Sequence, residues 1–294
     1  MSYNASSRPL VRAVIVGVTG RMGRELLRAA PGFAQLILTG AIASPASLAL
    51  GRDAGEVAGV GTMNLTVSND LPRALAQADI AIDFSHATAT AETLRACHRA
   101  GKALLIGTTG FAGDLEAQLE AAARDIPLLI AANTSIGVTL LTELVRAAAG
   151  SLPPGFDIDV LDLHHRLKAD APSGTALALG RAAAEARAVA LRAPAAPSLA
   201  GGGKAAAGGA GTPPAPPAGP RPQGEIGFAA VRAGDIVGEH TVLFSGPGEQ
   251  LCLTHRANDR AIFARGALAA ALWLASRPAG RYTMRDFLGI KTST

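Results

Sequence analysis

The first half of the chain repeats one pattern: a short run of aliphatic residues, a turn of small residues, then an amphipathic stretch. Val14-Ile15-Val16 is the first such run. Apolar in every position, it predicts a parallel strand buried on both faces. Gln35 to Ile42, Asp79 to Ser85, Lys102 to Ile106 and Pro127 to Ala131 have the same character. Helical spacing lies between them, as in Glu25-Leu26-Leu27-Arg28-Ala29-Ala30 and around Thr93, Leu94, Cys97 and His98. Strands alternating with helices predict a parallel, doubly wound sheet with ligands at the carboxyl ends of its strands.

The pattern changes in the second half. Asp157 to Asp162, Gly224 to Arg232, Glu239 to Ser245 and Glu249 to Arg256 read as strands, the last two forming a hairpin around Gly246-Pro247-Gly248. They predict an open antiparallel or mixed sheet, whose exposed face suits an oligomer interface. Arg260 to Ser276 then reads as a helix, with Ile262, Phe263, Leu268, Leu272 and Trp273 to bury against the first domain. The expected fold class is α/β: an N-terminal Rossmann-type dinucleotide-binding domain with a second α+β domain containing an open mixed sheet. Residues 1-132 plus 260-294 make the dinucleotide-binding domain, and residues 133-259 the substrate-binding and oligomerisation domain. Within the latter, residues 193-222 hold eight of the chain's 18 prolines, a Gly-Gly-Gly run and no aromatic or acidic residue. Such a stretch buries too little apolar surface to offset its ordering entropy, so it predicts a mobile surface loop.

Composition narrows the function. A chain of 294 residues can form two domains with full cores. Its net charge of +4 is scattered and its aromatic content is 4%, which argues against a nucleic-acid partner. No segment approaches the ~20 apolar residues of a membrane span. The two cysteines, Cys97 and Cys252, are far apart and lack metal-ligand spacing. They read as reduced core residues of a cytoplasmic protein, and no metal site is expected. His86 and His98 read as ordinary surface or turn histidines.

Two motifs carry chemistry. Gly17-Val18-Thr19-Gly20-Arg21-Met22-Gly23-Arg24 directly follows the first strand. Gly17 permits a tight turn, Gly20 lets the backbone approach a pyrophosphate, and Gly23 lets the next helix lie close to the strand. After the second strand, an NAD-preferring fold usually places an acid for the ribose 2′-hydroxyl. Here that point reads Ala41-Ile42-Ala43-Ser44-Pro45, with no acid before Asp53. Nothing there repels a 2′-phosphate, and Arg21 and Arg52 are its available partners, so the reading leans to NADPH. The second motif runs from Asp162-Leu163-His164-His165-Arg166-Leu167-Lys168 to Pro172-Ser173-Gly174-Thr175. Four cation-capable side chains beside a helix that Ser173 can cap suggest a site for a small acid with more than one carboxylate. A histidine there can supply a proton near neutral pH.

Taken in order, Gly17-x-x-Gly20-Arg21-Met22-Gly23, Asp83-Phe84-Ser85, Ile106-Gly107-Thr108-Thr109-Gly110-Phe111, the His164-His165-Arg166-x-Lys168 to Ala176 segment and Val231-Arg232-x-Gly234-Asp235-Ile236-Val237-Gly238-Glu239-His240 resemble the 4-hydroxy-tetrahydrodipicolinate reductase (dihydrodipicolinate reductase) family. The resemblance spans almost the whole chain apart from the Pro/Gly loop. It implies reduction of a cyclic imine dicarboxylate by NADPH or NADH, yielding tetrahydrodipicolinate and water on the diaminopimelate route to lysine. It places the proton donor at His164 and a second catalytic group at Lys168. Substrate-binding positions fall on His165, Lys168, Gly174 and Thr175. Cofactor-binding positions fall on Gly17, Val18, Thr19, Gly20, Arg21, Met22, Ala43, Ser44, Gly107, Thr108, Thr109, Ala131, Ala132, Asn133 and Thr134. It further implies a homotetramer built through the second sheet.

Three departures stand out: the family often has Glu at Asp162, His at Leu167 and an aromatic at Thr134. None is the expected proton donor, so the chemistry is expected to survive, with weaker cofactor stacking near Thr134. Two other readings share the glycine loop. One is another Rossmann amino-acid dehydrogenase, acting for example on aspartate or homoserine, which leaves the basic run unexplained. The other is a non-catalytic NADP-sensing protein, which would need neither His164 nor Lys168.

Overall fold

A computed structural model describes residues 9–108, 110, 115–191, 222 and 224–290. The chain divides into two compact units, Met1–Ile136 with Arg260–Thr294, and Gly137–Asp259.

The first unit holds a seven-stranded sheet in the order β11-β6-β5-β4-β1-β2-β3. Its strands are β1 (Val11–Val16), β2 (Leu36–Ile42), β3 (Val67–Ser68), β4 (Ile80–Asp83), β5 (Ala103–Ile106), β6 (Pro127–Ile130) and β11 (Gly280–Tyr282). Every pairing is parallel. Period-two geometry divides its side chains between two cores. Ala13 and Ile15 of β1 and Ile80 and Ile82 of β4 pack with α1 (Arg21–Ala29), α2 (Ala54–Ala58) and α8 (Ala261–Leu274). Val14, Val16 and Ala81 pack instead with α3 (Leu71–Ala76), α4 (Ala87–Ala100) and α5 (Leu115–Ala122). A sheet covered on both faces requires the uninterrupted apolar runs seen in the sequence. The strand order reverses at β1, between β4 and β2, and the glycine loop leaves the sheet at that point.

The second unit pairs its strands β10-β9-β7-β8, from β7 (Asp157–His164), β8 (Ile226–Arg232), β9 (Gly238–Gly246) and β10 (Glu249–Ala257). Only β7 and β8 run parallel, so the sheet is mixed. The β9–β10 hairpin closes over Pro247-Gly248, with Gly248 at φ +81°. One face is covered by α6 (Ile136–Ser151) and α7 (Gly174–Ala186), whose Leu141, Val145, Leu179 and Ala183 meet Ile158, Val160, Val242 and Phe244. The chain ends with α9 (Met284–Phe287), capped by a reciprocal Thr283–Asp286 pair.

Several sequence expectations shift. Cys97 is buried, but Cys252 is exposed rather than a core residue, because it lies on the edge strand β10, whose first four residues are all exposed. The helix that Ser173 caps stops at Ala186, and Ala188 sits at φ +52°, outside helical geometry. Apart from Pro222, the expected loop at 193-222 lies outside the described residues.

Candidate active site

At the carboxyl edge of the first sheet, backbone crowding fixes the glycines. Gly17 has φ +88°, and a Cβ there would lie 2.8 Å from the Phe84 carbonyl oxygen. A Cβ at Gly23 would lie 2.2 Å from the Gly17 carbonyl oxygen, so only glycine lets α1 approach β1 this closely. Gly20 caps α1 and offers no side chain, which leaves first-turn amides for an outside acceptor. An exposed Gly20 and Arg21 beside uncapped amides fit a dinucleotide pyrophosphate.

The other expected cofactor residues gather at the same edge. Val18 is buried, while Thr19 and Met22 are half-buried. At the end of β2, Ala43 is buried and Ser44 exposed. After β5, Thr108 Oγ1 donates to the Ser85 carbonyl at 3.2 Å, and Gly107 is half-buried. Thr109 lies outside the described residues. After β6, Ala131 is buried, Ala132 is exposed and Asn133 Oδ1 accepts the Ser135 amide at 2.8 Å. Thr134 is turned inward at 2% exposure, its hydroxyl donating to the Phe263 carbonyl at 2.7 Å. Phe84 and Ser85 also belong to this edge: a Cβ at Gly107 would strike the Phe84 ring at 2.1 Å. Their place at the end of β4, within the quoted Asp83-Phe84-Ser85 motif, was the available signal.

Asp53, the first acid after β2, is not poised for a ribose. Its carboxylate accepts the amides of Gly55, Met63 and Leu65 at 2.8, 2.9 and 3.1 Å. The Met63 amide foremost, with the others, holds the carboxyl below its usual range. The remaining candidates have local roles. His86 caps α4 through its ring nitrogen, and His98 Nε2 lies 2.6 Å from Asp125. Burial, with Asp83 nearby, pushes the Cys97 thiol up to about 12, so it is no nucleophile.

In the second unit the inward face of the sheet changes character along its length. On β7, Ile158 and Val160 are followed in the same alternation by Asp162 and His164. The register puts Asp162 opposite His240 on β9, and His164 opposite Arg232 on β8. The apolar face thus ends in four polar side chains, and α7 begins beside them. Ser173 caps α7, its Oγ accepting the Ala176 amide at 3.1 Å, while its own amide donates to Asp162 Oδ2 at 2.7 Å. Gly174 is exposed and Thr175 half-buried in the first turn of that helix.

Asp162 is fully buried, and an isolated charge there would be expensive. Arg232 meets it: Nη2 donates to Oδ2 at 3.0 Å and also to the Asp170 carbonyl at 2.6 Å. Asp162 Oδ1 lies 2.8 Å from His164 Nδ1 and 3.3 Å from His240 Nε2. The His164 contact is close but off the ring N–H axis, so it is not an aligned hydrogen bond. Burial pushes the Asp162 carboxyl up, but His164, His240, the Ser173 amide and Arg232 outweigh it and hold the group well below the usual range. Asp162, His164 and His240 each offer one atom within 4.8 Å of the others. The buried guanidinium on the same carboxylate opposes a divalent cation there, so the group reads as a hydrogen-bonding cluster.

Lys168 is tied to the same cluster through Asp170. Its ammonium donates to both Asp170 carboxylate oxygens, at 2.7 and 2.8 Å, and the Asp170 carbonyl accepts from Arg232. A substrate carboxylate reaching Lys168 meets an ammonium already paired with Asp170, with one N–H left to give. His165 is half-buried, its carbonyl accepting the Lys168 amide at 3.1 Å. Arg166 and Leu167 are exposed. The fold thus connects His164, Lys168 and the Ser173-Gly174-Thr175 turn through Asp162 and Arg232. Sequence reasoning passed over Asp162, Arg232 and His240. The visible signal for Asp162 was an acid in the alternation Ile158, Val160, Asp162, where an apolar residue belongs.

A cleft of about 1050 Å³ in the first unit, lined by Leu10, Arg12, Phe33, Leu272, Trp273 and Phe287 among others, is not this site. It lies at the amino ends of β1 and β2, away from the carboxyl edge that the glycine loop marks.

Comparison with known proteins identifies the family. Family models described as the N-terminus and the C-terminus of dihydrodipicolinate reductase match residues 11–134 and 137–288. The 4-hydroxy-tetrahydrodipicolinate reductase of Alkalilimnicola ehrlichii is 46% identical over 279 residues, covering 95% of this chain and 99% of that protein. The enzyme of the same name from Anaeromyxobacter dehalogenans is 44% identical over 285 residues, covering 96% and 99%. Among solved structures, a dipicolinate-bound dihydrodipicolinate reductase from Paenisporosarcina sp. TG-14 aligns with TM-score 0.72 at 21% identity, covering 93% of this chain and 97% of that one. An amine dehydrogenase from Mycobacterium smegmatis aligns with TM-score 0.61 at 17% identity, covering 96% of each chain. At such identities the structural likeness speaks for the fold alone.

Proposed function

The chain belongs to the dihydrodipicolinate reductase family, and from that premise we propose that it reduces 4-hydroxy-tetrahydrodipicolinate to tetrahydrodipicolinate and water on the diaminopimelate route to lysine. The observation that carries this reading is the linkage of His164, Lys168 and the Ser173-capped turn through one buried carboxylate and one buried guanidinium.

Gly17 to Met22, Gly107 to Thr109 and Ala131 to Thr134 would hold NADPH or NADH, which would supply the hydride. The chain's own residues do the rest. The first-turn amides of α7, with Thr175 and His165, hold one substrate carboxylate as a helix N-terminus holds any anion. Lys168 meets a second carboxylate and keeps a compact positive charge beside the ring nitrogen. His164 gives the proton that the overall reaction consumes. The expected homotetramer would form through the half-exposed outer face of the second sheet, where Gln250 and Cys252 stand out. Two free cysteines suit the reducing cytoplasm, and no helix among the described residues is long and apolar enough to cross a membrane.

The test is a direct assay of nicotinamide absorbance loss with the cyclic substrate. His164→Ala and Lys168→Ala should each lower turnover by ~10²–10⁴, the worth of a positioned acid-base group. Lys168→Ala should also raise the substrate KM. Near-normal turnover in either folded variant removes that residue from the chemistry.

A further inference from the structure

Resting on the reading of His164 as proton donor, we propose that Asp162 is its positioning residue, and that Arg232 and His240 lock Asp162 to the substrate-binding turn. A buried carboxylate needs partners, and Oδ2 already has two in the Ser173 amide and Arg232. Those two bonds account for its structural role. Oδ1 is different. It is buried without an aligned donor and sits between two imidazoles, 2.8 Å from His164 Nδ1 and 3.3 Å from His240 Nε2. A small turn of the His164 ring brings Nδ1–H into line with Oδ1. The nitrogen left to meet substrate is then Nε2, with its tautomer set by the bond at Nδ1.

The space around Nε2 supports this orientation. A Cβ at residue 238, opposite on β9, would lie 3.0 Å from His164 Nε2. Glycine at that position leaves the nitrogen's edge clear. The charges facing His164 come from several elements. Asp162 lies on its own strand, Arg232 on β8 and His240 on β9, with its ring centroid 5.1 Å away at 70°. The Lys168–Asp170 pair lies on the loop that follows, while Glu239 is paired with Arg256. The nearest anion is therefore the Asp162 carboxylate. His240 also reaches Ser173 Oγ at 3.0 Å, so the group that aims the proton donor also holds the cap of α7. Seating a substrate carboxylate on that helix terminus and aiming His164 then become one structural event.

Four full-length enzymes distinguish this from a structural role: wild type, Asp162→Asn, His164→Ala and the double variant. Turnover and kcat/KM are followed against pH, with dipicolinate affinity and thermal melting as controls. Asp162→Asn keeps an oxygen for Ser173 but removes the charge at Oδ1. We expect kcat to fall about 10–100-fold, the usual effect of losing a residue that orients a functional histidine, with dipicolinate affinity within about threefold of wild type. The alkaline limb of kcat/KM should move to lower pH by about one unit or more, as expected when a carboxylate next to an acid is neutralised. In the His164→Ala background, Asp162→Asn should cost nothing further in kcat. An unshifted pH profile, or an equal further loss in that background, overturns the proposal. A fully active His164→Ala instead overturns the assignment of the proton donor. Should Asp162→Asn fail to fold, Gly238→Ala crowds Nε2 with all charges in place. It should lower kcat about tenfold with no shift of the pH limbs, and normal turnover in it overturns the proposed aim of Nε2.

Discussion

Among the described residues, each unit buries one aspartate near the end of a strand, and the two carboxylates have opposite fates. Asp83 ends β4 in the nucleotide-binding unit, and Asp162 lies near the end of β7 in the other; both are fully buried. Asp83 Oδ1 accepts the Ser85 amide at 2.8 Å, but Oδ2 has no hydrogen-bond partner among the described residues. Burial pushes the Asp83 carboxyl up, and Ser85 and Thr90 offset it only in part. Asp162, with a guanidinium, an amide and two imidazoles around it, is held well down. Equal burial thus gives opposite shifts, because the partners decide which protonation state the fold favours. On the proposed function the units would treat anions differently for the same reason: one would offer backbone made accessible by glycine, and the other charged side chains held in place by a buried charge.

Removing the countercharge should break this contrast most severely. Arg232→Met leaves Asp162 buried without its guanidinium, both side chains being at most 5% exposed. The expected loss is about 3–5 kcal/mol of stability, read by denaturant unfolding at neutral pH. Arg232→Lys should recover only part of it, because an ammonium cannot reach Asp162 Oδ2 and the Asp162 and Asp170 carbonyls together. A loss below about 1 kcal/mol in Arg232→Met would mean that Asp162 is not ionised in the fold.

The pH dependence sharpens the comparison with a smaller effect. The Asp162 carboxyl is depressed in the fold, so its stabilisation is present above the ordinary carboxylate range, about 4, and is lost as pH falls below it. Asp83 is raised, so it has the opposite slope: its ionisation works against the fold near neutrality, and acid relieves that. Asp83→Asn should therefore raise stability at neutral pH by about 1 kcal/mol, the scale of one unmet buried acceptor. Asp162→Asn should lower it and flatten the acid transition. Melting curves at neutral and acid pH in both variants decide this, and matching signs would undo the contrast.

What could be read in the sequence follows the same division. The glycine loop was legible because part of its constraint is local: Gly20 and Gly23 meet the Gly17 and Val18 backbone within a few residues, although Gly17 itself is crowded by Phe84 and Ser85 far along the chain. The Ser173 cap was legible for the same reason. The Asp162 cluster was not, because its guanidinium lies 70 residues along the chain and its amide partner 11. Distance in sequence hides a pairing that strand register creates. A departure from the family at Asp162 was set aside since that residue donates no proton, yet it is the most heavily contacted acid of the site. Cys252 shows the converse: expected as a core residue, it lies on an edge strand with one uncovered face, which leaves the thiol exposed. The three-residue β11 was out of reach of any periodicity, since only its pairing with β6 makes it a strand.

Cofactor choice is the finest point of the comparison and gives the smallest effect. If the nucleotide unit holds anions through backbone, it should discriminate little between a ribose 2′-hydroxyl and a 2′-phosphate. The end of β2 agrees: Ser44 is exposed, Arg21 is exposed nearby in sequence to the glycine loop, and Asp53 is committed to backbone amides. One hydroxyl and one unclamped arginine favour a phosphate only mildly. NADPH should therefore serve at least as well as NADH, by about tenfold or less, which is about 1.4 kcal/mol. Ala43 is the wrong place to reverse this, because at 5% exposure it packs in the core with Ala41 and Ile15. Ser44→Asp keeps its carboxylate in solvent, where it can accept from a ribose hydroxyl and repel a phosphate. It should shift the kcat/KM ratio toward NADH by about tenfold. A strong NADH preference in the unmodified enzyme would mean that this unit reads the ribose through a group other than those at the end of β2.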